Sequence, residues 1–336
     1  MDTAMVETHQ TGLSRSQRAK LWAIRKSLLV TPRPMALLIR AVFTQGGEGF
    51  ARSLDAQAPQ DVRVVVDERY GTDPDARLDV YTPAQAAERG ESLPTVVWIH
   101  GGSWVGGSKE ELGGYFRRIA AGGFTVAAIA YPLAPESRYP TPLRHAMSAL
   151  AYLQEHADRL CVDPSRLLIA GDSAGAQITA QVATIVTNPA YGETVKVAPT
   201  IAPAQLGGVI LCCGPYDLTL FREDSPLKDF ITATMWAYSG TRRFREDPYF
   251  FPTMSVVNHV TVAFPPAFIT VGNADALAPH STALATALRA KGVEVETLFY
   301  PSDHLPALGH EYQFSIELED ARSALERLLA FCHNRT

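Results

Sequence analysis

The sequence predicts an α/β fold: a mostly parallel central sheet flanked by helices on both faces. Three observations carry this. Short β-rich apolar runs alternate with helical patterns through most of the chain, the rhythm of parallel strands joined by helical crossovers. Runs such as Val96-Val97-Trp98-Ile99 are apolar at every position, which suits a strand buried on both faces. The run Leu168-Ile169-Ala170 then breaks into Gly171-Asp172-Ser173-Ala174-Gly175, and a helical pattern follows. A serine held on such a tight strand-to-helix turn projects its hydroxyl out of the backbone. Side chains at the two flanking positions would clash with the strand or the helix, so glycine stands there.

Composition narrows the classes of partner. A chain of 336 residues, 46% hydrophobic and 19% charged, is an ordinary globular protein with room for one large α/β domain and an added element, or for two domains. A net charge of −5 disfavours nucleic acid or an anionic membrane as the main partner. Cys161, Cys212, Cys213 and Cys332 have neither metal-ligand spacing nor the density of a disulfide scaffold, so they are read as buried free thiols. Neither a metal nor a cofactor is expected. The polar first ten residues do not read as a secretory signal, and a cytoplasmic location is the default expectation. Monomer and homodimer both stay open.

In chain order, residues 14–43 carry helical periodicity, which Pro32 and Pro34 split into two helices. Arg15, Arg18, Lys20, Arg25 and Lys26 would suit a helix lying on a membrane. Their scatter around the helix favours a cap packed on the main domain instead. Residues 45–60, rich in Gly, Ala, Gln and Pro, read as a linker, so residues 1–60 form a helical segment and linker and residues 61–336 the catalytic domain. Residues 62–66 and 78–81, with a turn at 71–75, read as an antiparallel hairpin. Strands follow at 95–99, 124–130, 166–170, 207–212, 266–271 and 293–299. Helices are expected at 142–156, 175–187, 282–291 and 320–332.

Directly after the strand at 95–99 comes His100-Gly101-Gly102-Ser103-Trp104. A glycine pair at a strand's C-terminal end lets backbone N–H groups point into a cavity, as an oxyanion hole requires. The N–H groups of Gly101, Gly102 and Ala174 are assigned to it. A plain glycine loop whose histidine bonds the backbone is the alternative.

Together with Tyr131-Pro132-Leu133-Ala134-Pro135-Glu136, the His-Gly-Gly-Ser-Trp loop and the Gly-Asp-Ser-Ala-Gly turn resemble the hormone-sensitive-lipase-like family of α/β-hydrolase carboxylesterases. The resemblance runs from about residue 62 to the C-terminus. It implies an α/β-hydrolase fold with a helical cap, and a serine esterase working through an acyl-enzyme on a small to medium ester. The family usually carries arginine where this chain has Pro132. That difference leaves the catalytic assignment untouched.

A serine hydroxyl needs a base, and the base an orienting acid; in α/β-hydrolases these follow the serine as acid, then histidine. The turn Gly272-Asn273-Ala274-Asp275-Ala276-Leu277, after the strand at 266–271, resembles the family's acid-bearing turn. Asp275 is the choice and Asp303 the runner-up, and a plain Asx turn is the other reading of Asp275. Two histidines compete for the base. His304 lies nearer the preceding strand, whereas His310 lies nearer the last helix and begins His-Glu-Tyr-Gln, which resembles the pattern around the base in bacterial members. His310 is preferred, with His304 as the alternative.

Residues 214–264 are too long for a simple loop and read as a cap insertion, closing with the N-terminal helices as a lid as in the resembled family. Its Trp236 and Phe250, with Trp104, are candidates for an apolar pocket, although aromatic residues in such a segment also serve as core. Three rival functions remain: an arylformamidase or other amide hydrolase with the same triad, an inactive binding protein on a hydrolase scaffold, and a membrane-associated lipase anchored by residues 14–43.

Overall fold

The computed structural model describes residues 16, 22–24, 26–222 and 224–336. The expected hairpin forms from β1 (Val62–Arg69) and β2 (Arg77–Pro83), paired antiparallel. Then follow β3 (Leu93–Ile99), β4 (Thr125–Ile129), β5 (Val162–Asp172), β6 (Leu206–Cys212), β7 (Ala267–Val271) and β8 (Val295–Phe299). All eight join one sheet in the order β1-β2-β4-β3-β5-β6-β7-β8, antiparallel at β1/β2 and β2/β4 and parallel from β4 onward.

The longer helices are α1 (Arg33–Asp55), α2 (Gly113–Ala121), α3 (Thr141–Glu155), α4 (Ser173–Thr187), α5 (Lys228–Ser239), α6 (Ala278–Ala290) and α7 (Glu319–His333). They cover both faces. Val97 and Ile99 of β3 pack with Leu143, Ile178 and Leu284 from α3, α4 and α6, while Val96 and Trp98 point the other way onto Phe116 of α2 and Phe331 of α7. Two-sided burial is why these strands carry no polar alternation. Helix α4, directly behind the serine turn, is buried along its whole length.

One expectation needs correction. Residues 45–60 are not a linker: α1 continues to Asp55 through Gly46, Gly47 and Gly49. Glycine disfavours a helix in isolation, but Gly47 is buried where a Cβ would stand 2.6 Å from the Glu111 carboxyl carbon, so close packing overrides propensity there. Helix α2 was not anticipated from periodicity. The first expected helix falls largely outside the described residues, with Arg15, Arg18, Lys20 and Arg25 among those left out. Pro34 does open α1, after a turn at 28–30. Among the described residues no helix is long and apolar enough to cross a membrane.

Candidate active site

The chain runs from β3 outward to β4, then returns to place β5 on the other side of β3. Loops leaving the C-terminal ends of β3 and β5 therefore diverge and open a crevice, the usual ligand position in an open parallel sheet. The His100–Trp104 loop leaves β3 on one side of that crevice, and Ser173 leaves β5 on the other.

Ser173 sits at φ +50°, a left-handed conformation that costs a non-glycine residue free energy and turns its side chain out of the strand. Gly175 lets α4 press against the end of β3, since a Cβ there would run into the carbonyls of Ile99 and His100. The serine hydroxyl lies 2.9 Å from His310 Nε2, and His310 Nδ1 lies 2.8 Å from Asp275 Oδ2. With the ring proton on Nδ1 facing the carboxylate, Nε2 is free to accept from Ser173. Asp275 also accepts the N–H of Leu277 at 2.8 Å through Oδ1, so it forms the Asx turn and meets the histidine at once.

The acid turn and the histidine loop are tied together. Ala274 N–H donates to Leu308 O at 2.9 Å, Leu308 N–H to Asn273 Oδ1 at 2.8 Å, and Asn273 Nδ2 to His304 O at 3.1 Å. Folding the loop back in this way carries its far end, not its near end, to the serine. His304 instead packs at a tilt against Tyr300 and faces Asp320 of α7, Nε2 to Oδ1 3.1 Å. Asp303 is exposed.

Burial disfavours the His310 cation, but Cys213 and the Asp275 carboxylate beside it favour it. The balance raises its pKa well above the ordinary 6.5. Replacing Asp275 by Asn removes the carboxylate and its bond, so the histidine pKa falls. The acid limb of the kcat/KM profile should then move to lower pH, while the plateau drops by roughly 10⁴. A pH-rate profile of Asp275→Asn whose acid limb stays in place would contradict this.

In the β3 loop one assignment is corrected. Gly101 N–H already donates to Asp172 Oδ2 at 2.8 Å, and Trp98 Nε1 donates to the other oxygen at 2.7 Å, so Gly101 is not available to an oxyanion. Gly102, Ser103 and Trp104 follow at φ +106°, +54° and +60°. Among the described residues no acceptor takes the N–H of Gly102 or Ser103. Ala174 N–H belongs to the first turn of α4, where backbone donors have no partner within the helix. The glycine pair marks where backbone can approach closely but not which N–H is already used, so the N–H of Ser103 was not singled out. His100 holds the loop: its Nδ1 donates to Gly101 O at 2.8 Å, it stacks on Tyr131, and burial lowers its pKa to about 4.

Asp172 is buried, and burial together with Glu311 pushes its carboxyl well up. Glu311, at φ +61°, brings its Oε1 to 3.7 Å from His310 Nε2. Cys213, at φ +47° just past β6, lies beside His310 and Asp275; burial pushes its thiol up.

A further residue that the sequence did not flag is Arg40 of α1. Its guanidinium donates to Val105 O, Ala134 O and Glu136 Oε2, each at 2.7 Å, and so clamps the oxyanion-loop segment to the Tyr131–Glu136 loop. It supplies a cation to the loop in which Pro132 cannot. Charge-assisted bonds of this kind are worth about 1.5–3 kcal/mol when partly buried. Arg40→Ala should lower the unfolding temperature and cut kcat about tenfold or more with a smaller change in KM, through a loosened loop. Unchanged kcat in steady-state kinetics would show that the clamp is only structural.

The aromatic candidates separate. Trp104 is buried and stacked on Tyr238 of α5, ring centroids 5.2 Å apart, so the oxyanion loop and the 214–264 segment pack face to face. Phe250 is buried edge-on against Tyr139 and Tyr238, a core position. Trp236 is half-buried with the Arg242 guanidinium over its ring.

Residues 96–305 match the protein family described as alpha/beta hydrolase fold. The carboxylesterase NlhH of Mycobacterium tuberculosis is 30% identical over 266 residues, covering 76% of this chain and 77% of the relative. Esterase LipC of the same species is 26% identical, over 76% of this chain and 60% of its own. Among solved structures, esterase B of Lactobacillus rhamnosis (HN001) superposes with a TM-score of 0.75 at 25% identity, covering 92% of this chain and 95% of that one.

Proposed function

This chain belongs to the hormone-sensitive-lipase-like family of α/β-hydrolases and is a carboxylesterase, and from that premise we propose that Ser173, His310 and Asp275 are its catalytic triad. Ser173 Oγ attacks the ester carbonyl as His310 Nε2 takes its proton, and Asp275 holds the imidazole and stabilises its cation. The N–H groups of Gly102, Ser103 and Ala174 receive the oxyanion. Protonated His310 releases the alcohol, and water activated by the same histidine then frees the acyl group.

The single observation carrying this reading is the unbroken chain of hydrogen bonds, 2.9 Å from serine to histidine and 2.8 Å from histidine to aspartate. It joins residues from three separate loops at the same edge of the sheet.

The substrate is a small to medium, apolar ester. In support, α1 and residues 214–264 meet through Phe43 and Phe230, and Trp104, in the loop after β3, stacks on Tyr238, so aromatic rings join these segments close to the loop that faces Ser173. Ser173 itself is 8% exposed, which suits a narrow acyl site. A chain-length series of p-nitrophenyl esters beside aryl amides and formamides tests this. Activity should peak at short to medium acyl chains and be far lower on the amides. Amide turnover equal to or above ester turnover would replace the esterase reading with that of an amidase.

A further inference from the structure

Among the described residues one group of donors has metal-ligand character, and it overlaps the proposed triad. Cys213, Asp275 and His310 each offer one ligand atom, and these atoms lie within 4.8 Å of one another. The fold brings them together. Strands β6 and β7 are parallel with Cys212 opposite Thr270, so Cys213 leaves the sheet level with Val271, next to the turn that carries Asp275. Cys213 N–H is fixed on Thr270 O at 2.9 Å, and its φ of +47° is an unusual conformation for a non-glycine residue.

We propose that Cys213, Asp275 and His310 form a latent inhibitory site for a thiophilic divalent cation such as Zn²⁺, and that filling it switches the esterase off. One sulfur, one imidazole nitrogen and one carboxylate oxygen are ligand types that zinc takes, at about 2.3, 2.0 and 2.1 Å, which places ligand atoms roughly 3.5 Å apart around a tetrahedron. To reach that, the Nδ1–Oδ2 contact opens from 2.8 Å while the sulfur, now within 4.8 Å of both, takes its place around the ion. A solvent water would complete the coordination.

Charge favours the arrangement despite its burial. The dication meets one thiolate, one carboxylate and a neutral imidazole, so the filled site carries no net charge. The thiol gives up its proton to solvent as the cation binds. His310 keeps one proton, but the ion takes the Nδ1 lone pair, so that proton moves from Nδ1 to Nε2. Nε2 then faces Ser173 as a donor and cannot accept the serine proton. The route in is the ester's own, since His310 is the most exposed of the three.

The inhibitory effect, though not the binding, rests on His310 being the base. The test therefore reads both, on the full chain. Esterase activity of wild type, Cys213→Ala and Cys213→Ser is titrated with Zn²⁺, each against its own metal-free rate, with Mg²⁺ as a hard-ion control and EDTA to reverse. Co²⁺ is added to Ser173→Ala with and without Cys213→Ala, and the thiolate-to-cobalt charge-transfer band is recorded. Expected are Zn²⁺ inhibition that EDTA reverses and Mg²⁺ does not mimic, a loss of sensitivity of about tenfold or more in both Cys213 variants, and a cobalt band that needs Cys213. Equal Zn²⁺ sensitivity in wild type and both Cys213 variants, or no cobalt band, overturns the proposal. A cobalt band without inhibition keeps the site but overturns the switch. Failure of the triad reading is separate, because it would appear as Ser173→Ala retaining esterase activity whatever the metal does.

Discussion

Ser173→Ala should lower kcat/KM on an activated ester by roughly 10⁶, leaving only what the oxyanion donors and binding supply. The fold should survive the change, because the only hydrogen-bond partner of Ser173 Oγ among the described residues is His310 Nε2. Alanine also tolerates φ +50° no worse than serine does. Circular dichroism and the unfolding temperature should therefore stay close to wild type while turnover disappears. Retained turnover would remove Ser173 from the chemistry.

His310→Ala should cost about as much as Ser173→Ala, and the double variant scarcely more than either, because nucleophile and base act as one unit. His304→Ala should stay within a few-fold of wild type. The contrast follows from position: His310 spans Ser173 and Asp275, whereas His304 is turned to Asp320 and Tyr300. Its loss should appear as a slightly lower unfolding temperature, because its ring packs against Tyr300 beside Asp320. If His304→Ala were the dead variant, the histidine loop would have to refold to present it.

These residues differ in how far the sequence could disclose them. The strands were legible because burial on both faces leaves an uninterrupted apolar run, and the elbow because only glycine permits the approach of α4 to β3 at Gly175. Asp275 was chosen because its turn after β7 resembles the family's acid-bearing turn. The choice of His310 rested on resemblance, since spacing alone allowed either histidine. Other features depend on distant contacts that no local pattern reports. Gly101 gives its N–H to Asp172, 71 residues away, which is why the proposed oxyanion site uses Ser103 instead. Arg40 reaches Ala134 across 94 residues. Gly47 stays helical because of Glu111, not because of its own propensity. Cys213 read as a buried free thiol, and the alignment of β6 with β7 sets it beside the turn that carries Asp275.

The most direct test of the central claim is labelling with a fluorophosphonate, followed by intact mass and peptide mapping. One adduct per chain is expected, on Ser173, formed only by the folded protein and absent from Ser173→Ala. An adduct on another residue, or none on folded protein that still hydrolyses the ester, would contradict it.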